Sequence, residues 1–113
     1  MQPNVRAPLF DAQHAVLGIE MFVAGKTRDD FENDLMLRLA VERQFEIIGE
    51  ALGRLRNVEP ALLDKISEHQ GIVSFRNALI HGYDKIDNNI TWRIIQEKLP
   101  VLHKELHDLL KQP

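Results

Sequence analysis

The sequence contains no cysteine. A disulfide framework, a thiolate metal site and a cysteine nucleophile are therefore excluded, and this composition is compatible with a reducing compartment. The start of the chain has no basic run followed by an apolar segment, and no stretch approaches about 18 uninterrupted apolar residues. We therefore expect neither export nor membrane spanning, and we predict a cytoplasmic location.

An excess of basic charge is also missing. The chain has 14 Lys and Arg residues against 17 Asp and Glu residues, which gives a formal net charge of −3 at pH 7. A surface that binds nucleic acid broadly needs clustered cations to neutralise phosphates. Any contact with nucleic acid must therefore be local, and Arg54, Arg56 and Lys85 are the candidates for such a patch.

What the sequence does contain is the pattern of one helical domain. Its 113 residues, 44% hydrophobic and 27% charged, match an ordinary globular domain. Apolar residues recur at spacings of three and four in four main segments, and no segment alternates as a strand does. We predict an all-α, antiparallel four-helix bundle with an additional short helix, spanning residues 1–113 as a single domain.

The first two helices have recognisable ends. Pro8 suits the first turn of a helix that Gly25 then ends. Thr27 and Asp30 resemble an N-cap pair at the start of a long second helix that runs to about Arg56. That helix has a second apolar set besides its core stripe, which predicts cover from a partner subunit. The set is Met36, Leu39, Ala40, Ile47 and Ala51.

The second half of the chain predicts a short helical piece after Pro60 and two longer helices. Ser67 and Gln70 form the S-x-x-Q pattern of a capping box, so a third helix is expected to begin there and to stop near Gly82. A fourth helix fills the rest, with Pro100 expected to kink it. Its competing N-cap candidates are Asp87, Asn88 and Asn89.

The segment RNALIHGY, residues 76–83, contains the residue types most suggestive of chemistry. At about 100° per residue, Asn77 and His81 share one face of the third helix, whereas Arg76 lies about 140° from His81. Position alone favours a half-exposed histidine that caps the helix end. Arg76 and His81 can serve one phosphate if the helix unwinds at the His81–Gly82 step, if the arginine reaches round, or if each residue comes from a different subunit.

The wider context of this segment resembles a known family. From Leu9 to Leu110 the chain is similar to the HepT-like branch of the HEPN superfamily. ERQFEIIGEALGRL resembles that family's long second helix, SFRNALIHGY resembles its R-x4-H-x-Y signature, and Trp92 with the Leu99–Pro100 step resembles its fourth helix. The entry to the third helix departs from the family, because many relatives have a proline and a tryptophan where this chain has residues 66–69.

The resemblance implies a toxin ribonuclease that acts as a homodimer, with paired Arg and His residues across the interface and a minimal nucleotidyltransferase as antitoxin. Arg76 and His81 would be catalytic, Asn77 and Tyr83 supporting, and Tyr83 the residue that the antitoxin modifies by AMPylation. RNA can be cleaved by attack of its own 2′-hydroxyl with a base, an acid and a cation. We therefore expect no metal and no cofactor.

Other interpretations of the same residues remain open. The chain can be a non-catalytic helical module that docks on a minimal nucleotidyltransferase, or a dimerising bundle in which Arg76 and His81 only form interface hydrogen bonds. Glu50 is a possible partner for Arg76. His103 and His107 have the i, i+4 spacing of some zinc sites, but without a third ligand they are interpreted as surface residues.

Overall fold

The computed structural model describes residues 1–81 and 87–113. Those residues form no strand, which confirms the all-α fold class. The helices are α1 (Pro3–Val23), α2 (Arg28–Asn33), α3 (Leu35–Val58), α4 (Pro60–Leu63), α5 (His69–His81), α6 (Asn88–Arg93), a π-helical turn (Ile94–Lys98) and α7 (Leu99–Leu110).

The long helices pack as an antiparallel bundle, with α3 between α1 and α5 and with α7 against α1. Asp11 near the start of α1 forms an ion pair with Arg54 near the end of α3, and Gly18 lies beside Gln44. These contacts show that α1 and α3 run in opposite directions. The four predicted apolar stripes meet in one core, which includes Leu9, Ile48 and Leu106 without measurable exposure.

The start of α1 differs from the prediction. The helix begins at Pro3 rather than near Pro8, so Pro8 lies inside it. Pro3 occupies the first turn, where a missing N–H costs nothing, and buried Val5 extends the apolar stripe towards the N-terminus. The predicted end is confirmed, because Gly25 takes a φ of 73°, a conformation that favours glycine.

The predicted second helix is interrupted at Asp34. Thr27 and Asp30 form a reciprocal capping box as predicted, but the helix that they start ends at Asn33. Hydrogen bonds from Thr27 hold the pKa of Asp30 below its usual value. Asp34 then caps α3, because its carboxylate accepts a hydrogen bond from the N–H of Leu37 at 3.0 Å.

The capping box predicted at Ser67 and Gln70 is wrong. The Ser67 hydroxyl donates instead to the carboxylate of Glu105 on α7, at 3.1 Å, and the Ser67 N–H donates to the same group. α5 begins two residues later, at His69. Ser67 therefore joins the entrance of α5 to α7 rather than capping α5.

The α-helical hydrogen bonding of the predicted fourth helix is interrupted shortly before Pro100, where a kink is expected. Asp87 is the N-cap of α6, with its carboxylate accepting from the N–H of Asn89. The π-helical turn directly precedes Pro100, and the N–H of Leu99 donates to Ile94, five residues back. All five predicted stripe residues are at most 4% exposed: Ile95, Leu99, Leu102, Leu106 and Leu109.

The second apolar set on α3 is divided between the core and the surface. Ala51 is fully buried in the bundle, and Ile47 packs against the core. Met36 and Leu39 remain 80% and 55% exposed. None of the helices in the described ranges is long and apolar enough to cross a membrane.

Candidate active site

The candidate site is built on the contact between α3 and α5. Phe75 on α5 meets Phe45 on α3 edge to face, with ring centroids 5.0 Å apart. Both rings are buried, at 8% and 0% exposure, and Ile72 continues the apolar face of α5. This packing fixes α5 against α3 immediately before Arg76, the next residue along the chain.

Arg76 lies across α3 at Gly49. A Cβ atom at Gly49 would be 2.5 Å from Cγ of Arg76, 2.8 Å from its Cδ and 2.9 Å from its Cβ. Real Cβ atoms essentially never approach other heavy atoms this closely, so the arginine stem occupies the space that a side chain at position 49 would need. Sequence reasoning missed Gly49 as a site residue. The available signal was a glycine on the buried stripe of a long helix, next to Ile48.

The head group of Arg76 is directed towards Asn77. Nη1 of Arg76 donates to Oδ1 of Asn77 at 3.2 Å. Nε of Arg76 is buried and has no hydrogen-bond partner among the described residues. Within those residues Arg76 forms no ion pair with Glu50, so the suggested pairing is not found. The arginine thus reaches round the helix towards the face that Asn77 shares with His81.

His81 is the last residue of α5 and is exposed to solvent. It lies four residues beyond Asn77, or about 6 Å along the helix axis. The helix includes His81, and whether it unwinds at the step to Gly82, one of the three options above, is not tested, because Gly82 is not among the described residues. Gly82 and Tyr83 lie outside the described residues, as does Lys85. The described part of the motif therefore places the guanidinium of Arg76, the amide of Asn77 and the exposed imidazole of His81 in the C-terminal half of α5.

A groove also lies between α3 and α5, beside the N-terminal half of α5. Its volume is about 400 Å³, and its walls include Gly53 and Arg56 from α3 and His69 and Ser74 from α5. Arg54, the other basic candidate on α3, is held by Asp11 at the α1 side. We find no ion pair for Arg56 within residues 1–81 and 87–113. Among the described members of the suggested basic patch, Arg56 is therefore the residue that faces the groove.

Among the described residues, the remaining histidines form no cluster of three or more with other metal-ligating side chains. Nδ1 of His103 lies 2.8 Å from a carboxylate oxygen of Glu20, and the His103 side chain is only 36% exposed. His103 therefore lies at the surface and also joins α7 to α1 through Glu20. His107 is exposed, as predicted. The described ranges contain no group of three or more residues able to hold a metal ion.

Comparison with known proteins gives a consistent result. A family model described as "Ribonuclease HepT-like" matches residues 12–109. A protein of Methanocaldococcus jannaschii that is named as a candidate RNase is 33% identical over 103 residues, covering 91% of this chain and 94% of the relative. "Probable ribonuclease HepT" of Thermococcus cleftensis is 32% identical over 103 residues, covering 91% and 93% of the two chains. No solved structure matches the chain.

Proposed function

The chain belongs to the HepT-like ribonuclease family, and we propose that it is an endoribonuclease that cleaves RNA without a metal ion. One observation carries this proposal: the Arg76 guanidinium is bonded to Asn77, one helical turn from the exposed imidazole of His81. A fixed cation and an accessible proton carrier are the two groups that self-cleavage of RNA requires.

The reaction needs no atom from outside the RNA. The 2′-oxygen forms a bond to the adjacent phosphorus while the bond from phosphorus to the 5′-oxygen breaks, which leaves a 2′,3′-cyclic phosphate and a 5′-hydroxyl. The neutral imidazole of His81 takes the proton of the 2′-hydroxyl, and the protonated imidazole then delivers a proton to the leaving oxygen. Each transfer contributes about 10²–10⁴ in rate.

Arg76 stabilises the phosphate as negative charge builds on its non-bridging oxygens. A guanidinium is always protonated in proteins, and its planar fork donates two parallel hydrogen bonds to a phosphate. Asn77 restrains this fork through its side-chain oxygen.

The proposed site is completed by a second copy of the chain. Because α3 and α5 are antiparallel, the N-terminal half of α3 lies at the end of α5 that carries His81. Around that end Met36, Leu39 and Ile80 are 80%, 55% and 45% exposed. Burial of such side chains in a two-fold interface supplies a hydrophobic driving force, and we expect it to bring Arg76 of each chain to His81 of the other, which makes two equivalent clefts related by the two-fold axis.

Purified protein is expected to cut RNA in the presence of EDTA and to leave 2′,3′-cyclic phosphate ends. tRNA is the first substrate to test, with product ends identified by mass spectrometry. Addition of Mg²⁺ is expected to leave the product ends unchanged, because no step passes through a metal. Intact RNA after incubation with well-folded protein would contradict the proposal and would favour a non-catalytic binding module.

We further propose that the chain is the toxin of a toxin–antitoxin pair, with a minimal nucleotidyltransferase as antitoxin and Tyr83 as the AMPylated residue. The support is the position of Tyr83 two residues after His81, where a bulky anion would repel the RNA phosphate. Incubation with a cognate minimal nucleotidyltransferase and ATP is expected to add an AMP to the chain, seen in the intact mass, and to abolish cleavage. The Tyr83→Phe variant serves as the control and should gain no mass. Modification at another residue, or none, would contradict this assignment.

A further inference from the structure

The contact between Gly49 and Arg76 joins the middle of α3 to the proposed catalytic residue on α5. A hypothetical Cβ at Gly49 would lie under 3.0 Å from three successive carbon atoms of the Arg76 stem. The whole base of the arginine therefore rests on the backbone of α3. Only a residue without a side chain leaves that space free.

The contact with Gly49 limits the directions in which the guanidinium of Arg76 can point. The first carbons of the stem are confined by α3, Nε is buried, and Nη1 is bonded to Asn77. An arginine side chain has many rotamers in solution, and confinement of its stem removes most of them before a substrate binds. A cation that is already oriented stabilises developing charge without reorganising at the moment of reaction.

Packing of the two helices does not by itself account for the glycine. Phe45 and Phe75 form the buried contact one turn earlier, and glycine in the middle of a helix weakens it relative to alanine. Gly53, one turn further along α3, shows the difference, because a Cβ there would meet no atom within 4 Å. Gly49 is thus the position at which an added methyl group must displace Arg76.

We propose that Gly49 is a positioning residue for Arg76, which it holds across α3 so that the guanidinium faces Asn77 and the site. This inference rests on the proposed ribonuclease function. Gly49 touches no reacting atom and acts only through Arg76.

The test compares Gly49→Ala with Gly53→Ala, the same substitution one turn apart on the same helix. Gly49→Ala is expected to lower kcat for RNA cleavage about 10- to 100-fold with little change in KM, because displacement of a charge-stabilising group by about 1 Å can have an effect of this size. Gly53→Ala is expected to cleave like the wild type. A Gly49→Ala protein with wild-type kcat would overturn the inference and leave the ribonuclease function intact.

A second measurement does not depend on cleavage. The buried Nε–H of Arg76 is expected to give a protected resonance in ¹H–¹⁵N spectra, which Gly49→Ala shifts and Gly53→Ala does not. Thermal unfolding then separates the contact from general helix packing. Gly49→Ala should lower the Tm more in the wild-type background than in the Arg76→Ala background. The Arg76→Ala protein lacks Cγ and Cδ of the arginine, the two atoms nearest to the added methyl group.

The outcomes are distinguishable. Equal Tm losses in the wild-type and Arg76→Ala backgrounds, together with an unshifted Nε–H resonance, would overturn the inference, because the methyl group would then clash with something other than the arginine stem. A wild type that cuts no RNA would overturn the proposed function instead, while the spectra and the unfolding cycle still report whether Gly49 fixes Arg76.

Discussion

His81→Ala is expected to lower the rate of RNA cleavage by about 10²–10⁴-fold, because it removes the group that transfers protons to and from the RNA. The fold should be retained. His81 is exposed at the last position of α5, whereas the contact of α5 with α3 is made by Phe75 and Arg76. Cleavage of a labelled RNA with enzyme in excess measures the chemical step, and a thermal unfolding curve of the same sample checks the fold.

The matched control for this variant is His107→Ala. His107 is also an exposed histidine near the C-terminal end of a helix, α7, but it lies outside the α3–α5 contact. Its substitution should leave cleavage unchanged. Wild-type activity in His81→Ala would show that another group moves the proton. An unfolded or dissociated His81→Ala protein would favour the purely structural interpretation of the motif.

The helices could be predicted from the sequence because their signals are local and periodic. The stripe from Ile95 to Leu109 follows spacings of four and three, and every member of it is buried. The box of Thr27 with Asp30 and the turn at Gly25 each involve only a few neighbouring residues. Such features depend on the chain within one or two helical turns, which is the range that a sequence pattern describes.

The wrong predictions of helix ends have two causes: a contact with a residue distant in sequence, or a second capping residue nearby. Ser67 fits a capping pattern with Gln70, but its hydroxyl bonds to Glu105, 38 residues away along the chain. Asp34 is an N-cap that the sequence analysis missed, because the apolar pattern continues across it, and α3 begins at the next residue. Propensity and capping patterns contain no information on which distant acceptor is nearest in the fold.

The candidate site shows the same division. The motif singles out Arg76, Asn77 and His81 as candidates, and a helical wheel predicts that Asn77 shares the face of His81 on α5. The wheel could not show that the arginine head bends towards Asn77, because that direction depends on how α5 lies against α3. It could not show the role of Gly49 for the same reason. Both depend on the register between two helices, which the packing of Phe45 on Phe75 determines.

The composite site makes a second prediction with a large effect. Arg76→Ala and His81→Ala proteins are each expected to be inactive, yet a mixture of the two should recover about a quarter of wild-type activity after subunit exchange. In a two-fold dimer, about half of the molecules in an equal mixture contain one chain of each kind. Each such dimer has one cleft with an intact Arg76 from one chain and an intact His81 from the other. The activity of the mixture is measured against each variant alone at the same total concentration.

The result separates two arrangements of the same residues. If Arg76 and His81 of one chain act together, both clefts of a mixed dimer lack one group, and mixing restores nothing. Such an outcome would assign the whole reaction to one copy of α5, in which the bond from Arg76 to Asn77 already turns the guanidinium towards the histidine face. Recovery would instead mean that the same bond turns the guanidinium towards the partner's half of the cleft. Subunit exchange is verified with a mass-labelled chain, so that absence of activity cannot be attributed to absence of mixed dimers.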